Sequence, residues 1–418
     1  MPELPEVETI RRDLEHHLAG ARITRVHVLR PEVVCGAGGE AIGPEAFQAA
    51  LEGARFRRFA RRGKYLLIEL HRPAGDPAAR SGPNTTPVLP DEPAPAPVPA
   101  GVGSRAGGTA APGAPGAPAG GQAPGGGSPP PAGGGSNAPA GPGRVAGGTA
   151  PTAGAEEAPA GRRVRPAGPG AGRLWLAIHL RMTGRLTLAR RGEPRPPHTH
   201  VVFELEPGPG RPWEELRFSD VRRFGRLYLM PDNPLARARS RPAGRRAGRE
   251  GTHAGTGLRG LYTLGPEPLS RRFGAAELGR RLAGRRAPIK AVLLDQRVVA
   301  GLGNIYADEA LFRAGLHPAR PAGSLTGQEV ARLARAIRGV LREAVAAGGT
   351  TFSDYRDGLG REGRFARRLA VYDREGHPCP RCGTPVAALR LAGRTSHYCP
   401  RCQPSGSGWC SGPRGWTS

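Results

Sequence analysis

In the first eighteen residues Val7, Ile10, Leu14 and Leu18 recur at three- and four-residue steps with charged residues between them. That spacing predicts a helix from about Pro5 to Leu18; a proline suits its first turn, and Glu6 and Glu8 suit its positive end. The period then shortens. The runs "RITRVHVL", "KYLLIEL", "LWLAIHL", "GRLTLA", "HVVFELE", "ELRFSD" and "GRLYLM" are short and β-branched or alternating. They predict strands of one antiparallel sandwich or barrel. From about residue 260 the helical period returns in "SRRFGAAELGRRLAGR", "IKAVLLDQ", "NIYADEALFRAG" and "TGQEVARLARAIRGVLREAVAAG". Between the second and third of these, "RVVAGLGN" predicts a tight glycine turn whose amides can face a phosphate. The segment "VYDREGHPCPRC" through "YCPRCQ" predicts a small metal-bound β-hairpin.

One long stretch follows neither period. Pro73 to Gly172 is almost wholly Ala, Gly, Pro, Ser and Thr, with no aromatic residue and one leucine, Leu89. It has too little apolar surface to offset the entropy of ordering it, which predicts a disordered insert that enlarges a hairpin connection. The fold class is therefore α+β and multidomain. An N-terminal β-sandwich domain is expected over 1–72 and 173–235, interrupted by the Pro/Gly/Ala-rich insert 73–172. A polar linker over 236–259, a helical domain over 260–366, a zinc finger over 367–403 and a tail over 404–418 complete the expected order.

The formal net charge is +26, and the insert, with six Arg and five acidic residues, carries only 6 − 5 = +1 of it. About +25 thus falls on the rest, and a unit that basic repels itself unless a polyanion is its partner. Nucleic acid is the leading candidate. An acidic membrane surface comes second, and the absence of apolar spans and of a Lys-rich amphipathic helix counts against it. "MPELPEVETI" has neither a basic n-region nor an apolar h-region, so the expected location is the cytoplasm. In a reducing compartment six cysteines do not suggest disulfides. Cys379, Cys382, Cys399 and Cys402 form two CxxC knuckles sixteen residues apart, which suits one structural Zn2+ held tetrahedrally by four thiolates. Cys35 and Cys410 are extra. His198 and His200 share one face at period two and resemble a metal pair, but no third ligand accompanies them.

Of the 61 basic residues only two are lysine, Lys64 and Lys290, leaving 61 − 2 = 59 arginines. Arginine binds through a planar fork and keeps its proton, whereas lysine is a compact charge that can exchange one. The two exceptions are therefore candidates for chemistry.

"MPELPEVET", "KYLL", "IHLRMTGRL", "HTHV", "DVRRFG", "LGPEPL", "GLGNIYADEALF", "GGTT" and the four-cysteine finger occur in this order. In this the chain resembles the bacterial formamidopyrimidine-DNA glycosylases, the Fpg/Nei family, over nearly all of its length outside the insert, linker and tail. Leu4 favours the formamidopyrimidine branch over the endonuclease VIII branch, which typically opens "PEGPE". The resemblance implies a catalytic β-sandwich domain, a helix-two-turn-helix DNA-binding domain and a zinc finger. It further implies a bifunctional glycosylase and abasic-site lyase for oxidised purines in duplex DNA, acting as a monomer.

Such chemistry needs an amine that can take the sugar carbon as a Schiff base. With Met1 removed, Pro2 would offer an α-amine of pKa about 8 against about 10.4 for lysine, and so be deprotonated roughly a hundredfold more often near neutral pH. By resemblance Pro2 is the nucleophile, Glu3 the general acid/base, Lys64 a proton donor in β-elimination, and Arg394, near the finger's tip, an aid to δ-elimination. Glu6 reads as a helix-end or buried supporting carboxylate. Met182 and Phe224 match the wedge that fills the space of an extruded base, and Arg222 the reader of the orphaned cytosine. His198, Arg285, Lys290 and Asn304 match DNA contacts, the last two on phosphates around the flipped nucleotide. A lesion-capping loop would fall within 350–365. Arg181 stands where glycine is commoner and Val221 where proline is commoner. The competing readings are a glycosylase for oxidised pyrimidines and a non-catalytic lesion binder, for which Pro2, Glu3 and Lys64 together would be superfluous.

Overall fold

The computed structural model describes residues 2–72, 172–208, 210–235 and 258–405. Helix α1 (Leu4–Leu18) forms where the apolar stripe predicts it, and Val7, Ile10, Leu14 and Leu18 are all buried along it. Strand β1 (Ile23–Val28) follows, then the two-residue β2 (Val34–Cys35), helix α2 (Pro44–Leu51), β3 (Arg55–Arg62) and β4 (Tyr65–Arg72). Beyond the insert come β5 (Gly172–His179), β6 (Gly184–Ala189), β7 (Thr199–Leu205), β8 (Glu215–Asp220) and β9 (Arg226–Met230). They make a four-stranded sheet ordered β1-β7-β8-β6 and a five-stranded sheet ordered β2-β9-β5-β4-β3. The pairings are antiparallel except β2 with β9, which is parallel.

The two sheets share one apolar core. Leu66, Ile68 and Leu70 of β4 alternate inward with Leu176 and Ile178 of β5, against Val201, Phe203, Leu216 and Phe218 of the other sheet and the stripe of α1. The opposite face of β4 and β5 is also covered: Tyr65, Leu67 and Trp175 pack with Leu258 and Leu261. Strands buried on both faces explain why "KYLLIEL" and "LWLAIHL" read as nearly continuous apolar runs. Arg72 pairs with Gly172, so the long connection leaves and returns at one ladder position. The insert and the tail lie outside the described residues, as do most of the linker, Met1 and Cys410.

The second half contains α3 (Arg259–Tyr262), α4 (Ala275–Leu282), α5 (Ile289–Leu294), α6 (Asn304–Ala314) and α7 (Gly327–Ala346). Thr326 caps α7 by accepting the Glu329 amide, while the Glu329 carboxylate reaches back to the Thr326 amide, the reciprocal box expected of T-x-x-E. Leu333, Ile337, Val340 and Leu341 of α7 pack on Tyr306, Ala310 and Leu311 of α6. Leu4 belongs to this helical core although the rest of the α1 stripe belongs to the sandwich, so α1 joins the two. The finger is the hairpin β10 (Ala387–Leu391) and β11 (Arg394–Tyr398), turning at Ala392 and Gly393, both with positive φ. Among the described residues no helix is long and apolar enough to cross a membrane.

Candidate active site and nucleic-acid interface

Pro2 and Glu3 are buried immediately before α1. The Glu3 carboxylate reaches beyond its own helix. It crosses to the start of α6, where Oε2 accepts the Gly303 amide at 2.7 Å and Oε1 the Ile305 amide at 3.0 Å. The Gly303 amide of the glycine turn and the Ile305 amide of α6 are thus taken by a carboxylate of this chain. A helix N-terminus suits such an anion through its unpaired amides and positive dipole end. A Cβ on Gly303 would stand 2.4 Å from that carboxylate, and one on Gly301, at φ +82°, would stand 2.8 Å from the Cβ of Leu4. Both glycines are therefore required for the N-terminus to lie against α6, and the Leu4 amide completes the contact on the Gly301 carbonyl at 3.0 Å.

A second carboxylate supports the first. Glu6 accepts the Glu3 amide at 2.8 Å, the Thr350 amide at 2.8 Å and the Tyr306 hydroxyl. Burial pushes Glu6 up from the usual carboxylate range despite these donors. Burial also raises Glu3, to about 7, against the pull of Lys64. Lys64 is buried in the two-residue turn between β3 and β4, one position earlier than the strand itself. Burial lowers its pKa; Glu3 holds it up and the nearby Arg394 guanidinium pushes it down. Glu267 fixes that turn by accepting from the Gly63 amide and from Arg61 and Arg62. One site thus gathers the chain's beginning, a carboxyl group poised to exchange protons near neutral pH and an ammonium made readier to release its own.

Other candidate groups are exposed. Met182 and Phe224 are 40% and 55% exposed, with Val221 beside them at 53%. They are held out by Asp220, which accepts from the Thr183 hydroxyl at 2.5 Å, the Arg222 amide at 3.2 Å and the Gly225 amide at 2.6 Å. The Arg222 guanidinium lies 3.6 Å from the sulfur of Met182. Arg181 has φ +57°, the region where glycine is favoured. His198 is exposed at φ +62°, whereas His200 is buried with Nε2 2.7 Å from the Asp220 carbonyl, so the two histidines do not face a common ion. Arg285 is exposed at the end of α4, where it donates to the Arg281 carbonyl at 2.8 Å. Arg394 is exposed beside the hairpin turn.

Lys290 lies in the first turn of α5. It is fully buried, 2.6 Å from Asp308, and donates to the Thr395 carbonyl at 2.9 Å; Asn304 donates to the same carbonyl at 3.1 Å. Asp308, Glu309, Tyr306, Thr350 and Asp220 were not singled out by sequence reasoning. Their only signal was polar character inside segments whose periodicity predicts burial.

In the finger the four cysteine sulfurs lie within 4.8 Å of one another. Cys379 and Cys402 are 3.9 Å apart, and Cys382 is 3.5 Å from both Cys399 and Cys402. Tetrahedral zinc with bonds of about 2.3 Å needs sulfur separations of about 3.8 Å, so the set fits. Burial pushes the Cys399 and Cys402 thiols up, a cost that a bound cation offsets.

Comparison with known proteins agrees with this geometry. Family profiles described as the formamidopyrimidine-DNA glycosylase N-terminal domain, the formamidopyrimidine-DNA glycosylase H2TH domain and a zinc finger found in FPG and IleRS match residues 1–82 with 165–227, 264–356 and 376–404. The chain is 38% identical to the formamidopyrimidine-DNA glycosylase of Moorella thermoacetica, over 93% of this chain and 95% of the relative. It is also 38% identical to that of Symbiobacterium thermophilum, over 99% and 93%. Among solved structures it resembles the MutM (Fpg) protein of Thermus thermophilus, with TM-score 0.58 and 34% identity over 97% of this chain and all of that one. It also resembles a Lactococcus lactis Fpg complexed with DNA containing N7-benzyl-Fapy-dG, with TM-score 0.61 and 25% identity over 96% and 100%. With three profiles in register along the chain and relatives matched almost end to end, the chain belongs to the formamidopyrimidine-DNA glycosylase family.

Proposed function

We propose that the amine of Pro2, freed by removal of Met1, is the nucleophile with which this DNA glycosylase of base excision repair acts on oxidised purines. The enzyme is a bifunctional glycosylase and abasic-site lyase. The amine's lone pair adds to C1′ of the damaged nucleotide as the bond to the base breaks, and the departing base takes up a proton. Glu3 moves protons at the opening sugar ring: the ring oxygen takes up a proton as its bond to C1′ breaks, leaving an iminium cation between the proline nitrogen and C1′. Transfer of the C2′ proton to water then expels the 3′ phosphate, which takes up a proton from Lys64, and Arg394 assists the second elimination at the 5′ side. The observation that carries this reading is the Glu3 carboxyl: buried, gripped by two amides of α6 and raised to about 7, it is suited to proton exchange at working pH.

Reaching a base inside a duplex requires extruding it, at a cost of a few kcal/mol. Exposed Met182 and Phe224, with Arg222 against Met182, supply a wedge for the vacated space and a donor for the opposite base. His198, Arg285 and Asn304 are proposed to contact the DNA backbone. The four cysteines hold one structural zinc ion, which crosslinks the finger. The domain limits given above, action as a monomer and work in the cytoplasm at the nucleoid belong to the same proposal.

The test is a duplex carrying one 8-oxoguanine opposite cytosine, incubated with the protein and borohydride. A reduced adduct mapped by mass spectrometry to Pro2 is expected. Tight binding with neither adduct nor strand cleavage would refute the catalytic reading, and an adduct formed only with an oxidised pyrimidine would refute the substrate class.

A further inference from the structure

Two acidic residues in succession on α6 grip the finger from both sides. The Glu309 carboxylate, itself fully buried, accepts the amides of Ala370, Val371 and Tyr372 at 2.9–3.0 Å, on the segment entering the finger. The Asp308 carboxylate, also fully buried, accepts the His397 amide of β11 at 3.0 Å on the returning side. Lys290 closes the second grip from α5, bridging Asp308 at 2.6 Å and the Thr395 carbonyl at 2.9 Å. Thr395 follows Arg394 directly, and Arg394 lies near enough to Lys64 to disfavour its charge.

We propose that Lys290 is a positioning residue rather than a phosphate ligand: with Asp308 it locks the finger hairpin so that Arg394 is held at the site. A group with 1% of its side chain exposed has no free face for a phosphate, and its two strong contacts are both internal. The lock also accounts for lysine in a chain that otherwise uses arginine. A compact ammonium fits between a carboxylate and one carbonyl, whereas a guanidinium would carry five donors into a space with partners for two. A buried pair of this kind contributes little net stability but is strongly specific in geometry. The inference rests on the proposed role of Arg394 only for its effect on products.

The experiment uses the full zinc-loaded chain and the variants Lys290→Met, Lys290→Arg and the neutral pair Lys290→Met/Asp308→Asn, which avoids an unpaired buried charge. DNA affinity is measured against salt, and amide hydrogen exchange is followed over 387–398. A lost phosphate contact would flatten the slope of log affinity against log salt by about 0.9, and Lys290→Arg would restore it. The lock predicts an unchanged slope in the neutral pair, faster hairpin exchange in all three variants, no rescue by arginine, and a several-fold lower share of δ-elimination product. A flattened slope with hairpin exchange unchanged would overturn it. Exchange and salt slope are both read without catalysis. Failure of the unsubstituted chain to form a Pro2 adduct would therefore count against the proposed function alone, leaving those two readouts to decide on the lock.

Discussion

Replacing Glu3 by glutamine should make the protein more stable at neutral pH while abolishing its chemistry. In the folded chain burial raises the Glu3 carboxyl from 4.5 to about 7, and the attraction of Lys64 only partly opposes this. Below about pH 4.5 the group is protonated whether the chain is folded or unfolded and costs nothing. As pH rises from there towards 7, the unfolded chain releases the proton and the folded chain retains it, so stability falls; above 7 the loss is complete. At about 1.4 kcal/mol per pH unit, the rise from 4.5 to about 7 costs about 3 kcal/mol. Glutamine is neutral throughout and escapes that cost, but it has one oxygen to offer the Gly303 and Ile305 amides, a loss of about 1 kcal/mol at every pH.

The variant should therefore be about 1 kcal/mol less stable than the native chain at pH 4.5 and about 2 kcal/mol more stable at pH 8. Urea unfolding of both proteins at unit steps of pH, with zinc in excess, measures the difference directly, and subtraction removes every other titrating group. A difference that stays flat from pH 4.5 to 8 would refute the reasoning, because it would mean that Glu3 ionises alike in both states and is not poised for proton transfer. A gain in stability alongside lost turnover is the trade-off expected of a group kept for chemistry.

Gly303→Ala should cut glycosylase turnover by at least about a hundredfold, since its Cβ would stand 2.4 Å from the Glu3 carboxylate and displace it; single-turnover kinetics check this. Glu309→Ala orphans the three amides of residues 370–372 and should lower stability by several kcal/mol at about 1–3 kcal/mol per unsatisfied group, measured by thermal unfolding. Removing zinc with a chelator should release the finger, whose core of Phe312, Val371, Val386 and the cysteines is small, and weaken lesion-duplex binding while the near-UV spectrum of the sandwich persists.

The elements that could be read from the sequence are those whose apolar positions keep a regular period or an unbroken run. Most of these need only alternate, or step by three and four, to bury one face, while "KYLLIEL" and "LWLAIHL" are marked by unbroken apolar runs because both their faces are covered. Strand β3, "RFRRFARR", could not be read that way. Its pairing with β4 shifts between Phe56 and Arg58, so Phe56 and Phe59 enter the same core three positions apart and alternation is lost. Helix α2 buries only Phe47 and Leu51, and β2 is two residues long and paired in parallel, too short for any period. At the site, Pro2, Glu3 and Lys64 stood out by position and residue type. The supporting groups did not, because what Glu309 or Asp220 binds is a set of backbone amides, and an amide leaves no mark on the sequence. Sequence reasoning gives Lys290 an external partner; its internal one, Asp308, is eighteen positions away and invisible as a pair.

Most of the contacts that assemble the site converge on one short stretch, Gly303 to Glu309 around the first turns of α6. Its amides hold Glu3, Asn304 holds the Thr395 carbonyl, Tyr306 holds Glu6, Asp308 holds Lys290 and β11, and Glu309 holds the entry to the finger. At 1.5 Å per residue these groups span about 9 Å of one rigid element, so the distance from Glu3 to the finger is set by helix geometry rather than by loop length. An added residue there would rotate everything beyond it by about 100° and separate the two ends of the site. The long connection after β4 faces no such restriction. Arg72 and Gly172 are paired neighbours, and closure entropy grows only logarithmically with the length between them. This chain has accordingly placed its extra hundred residues where the ends are pinned by a ladder, and none inside the helix that measures its active site.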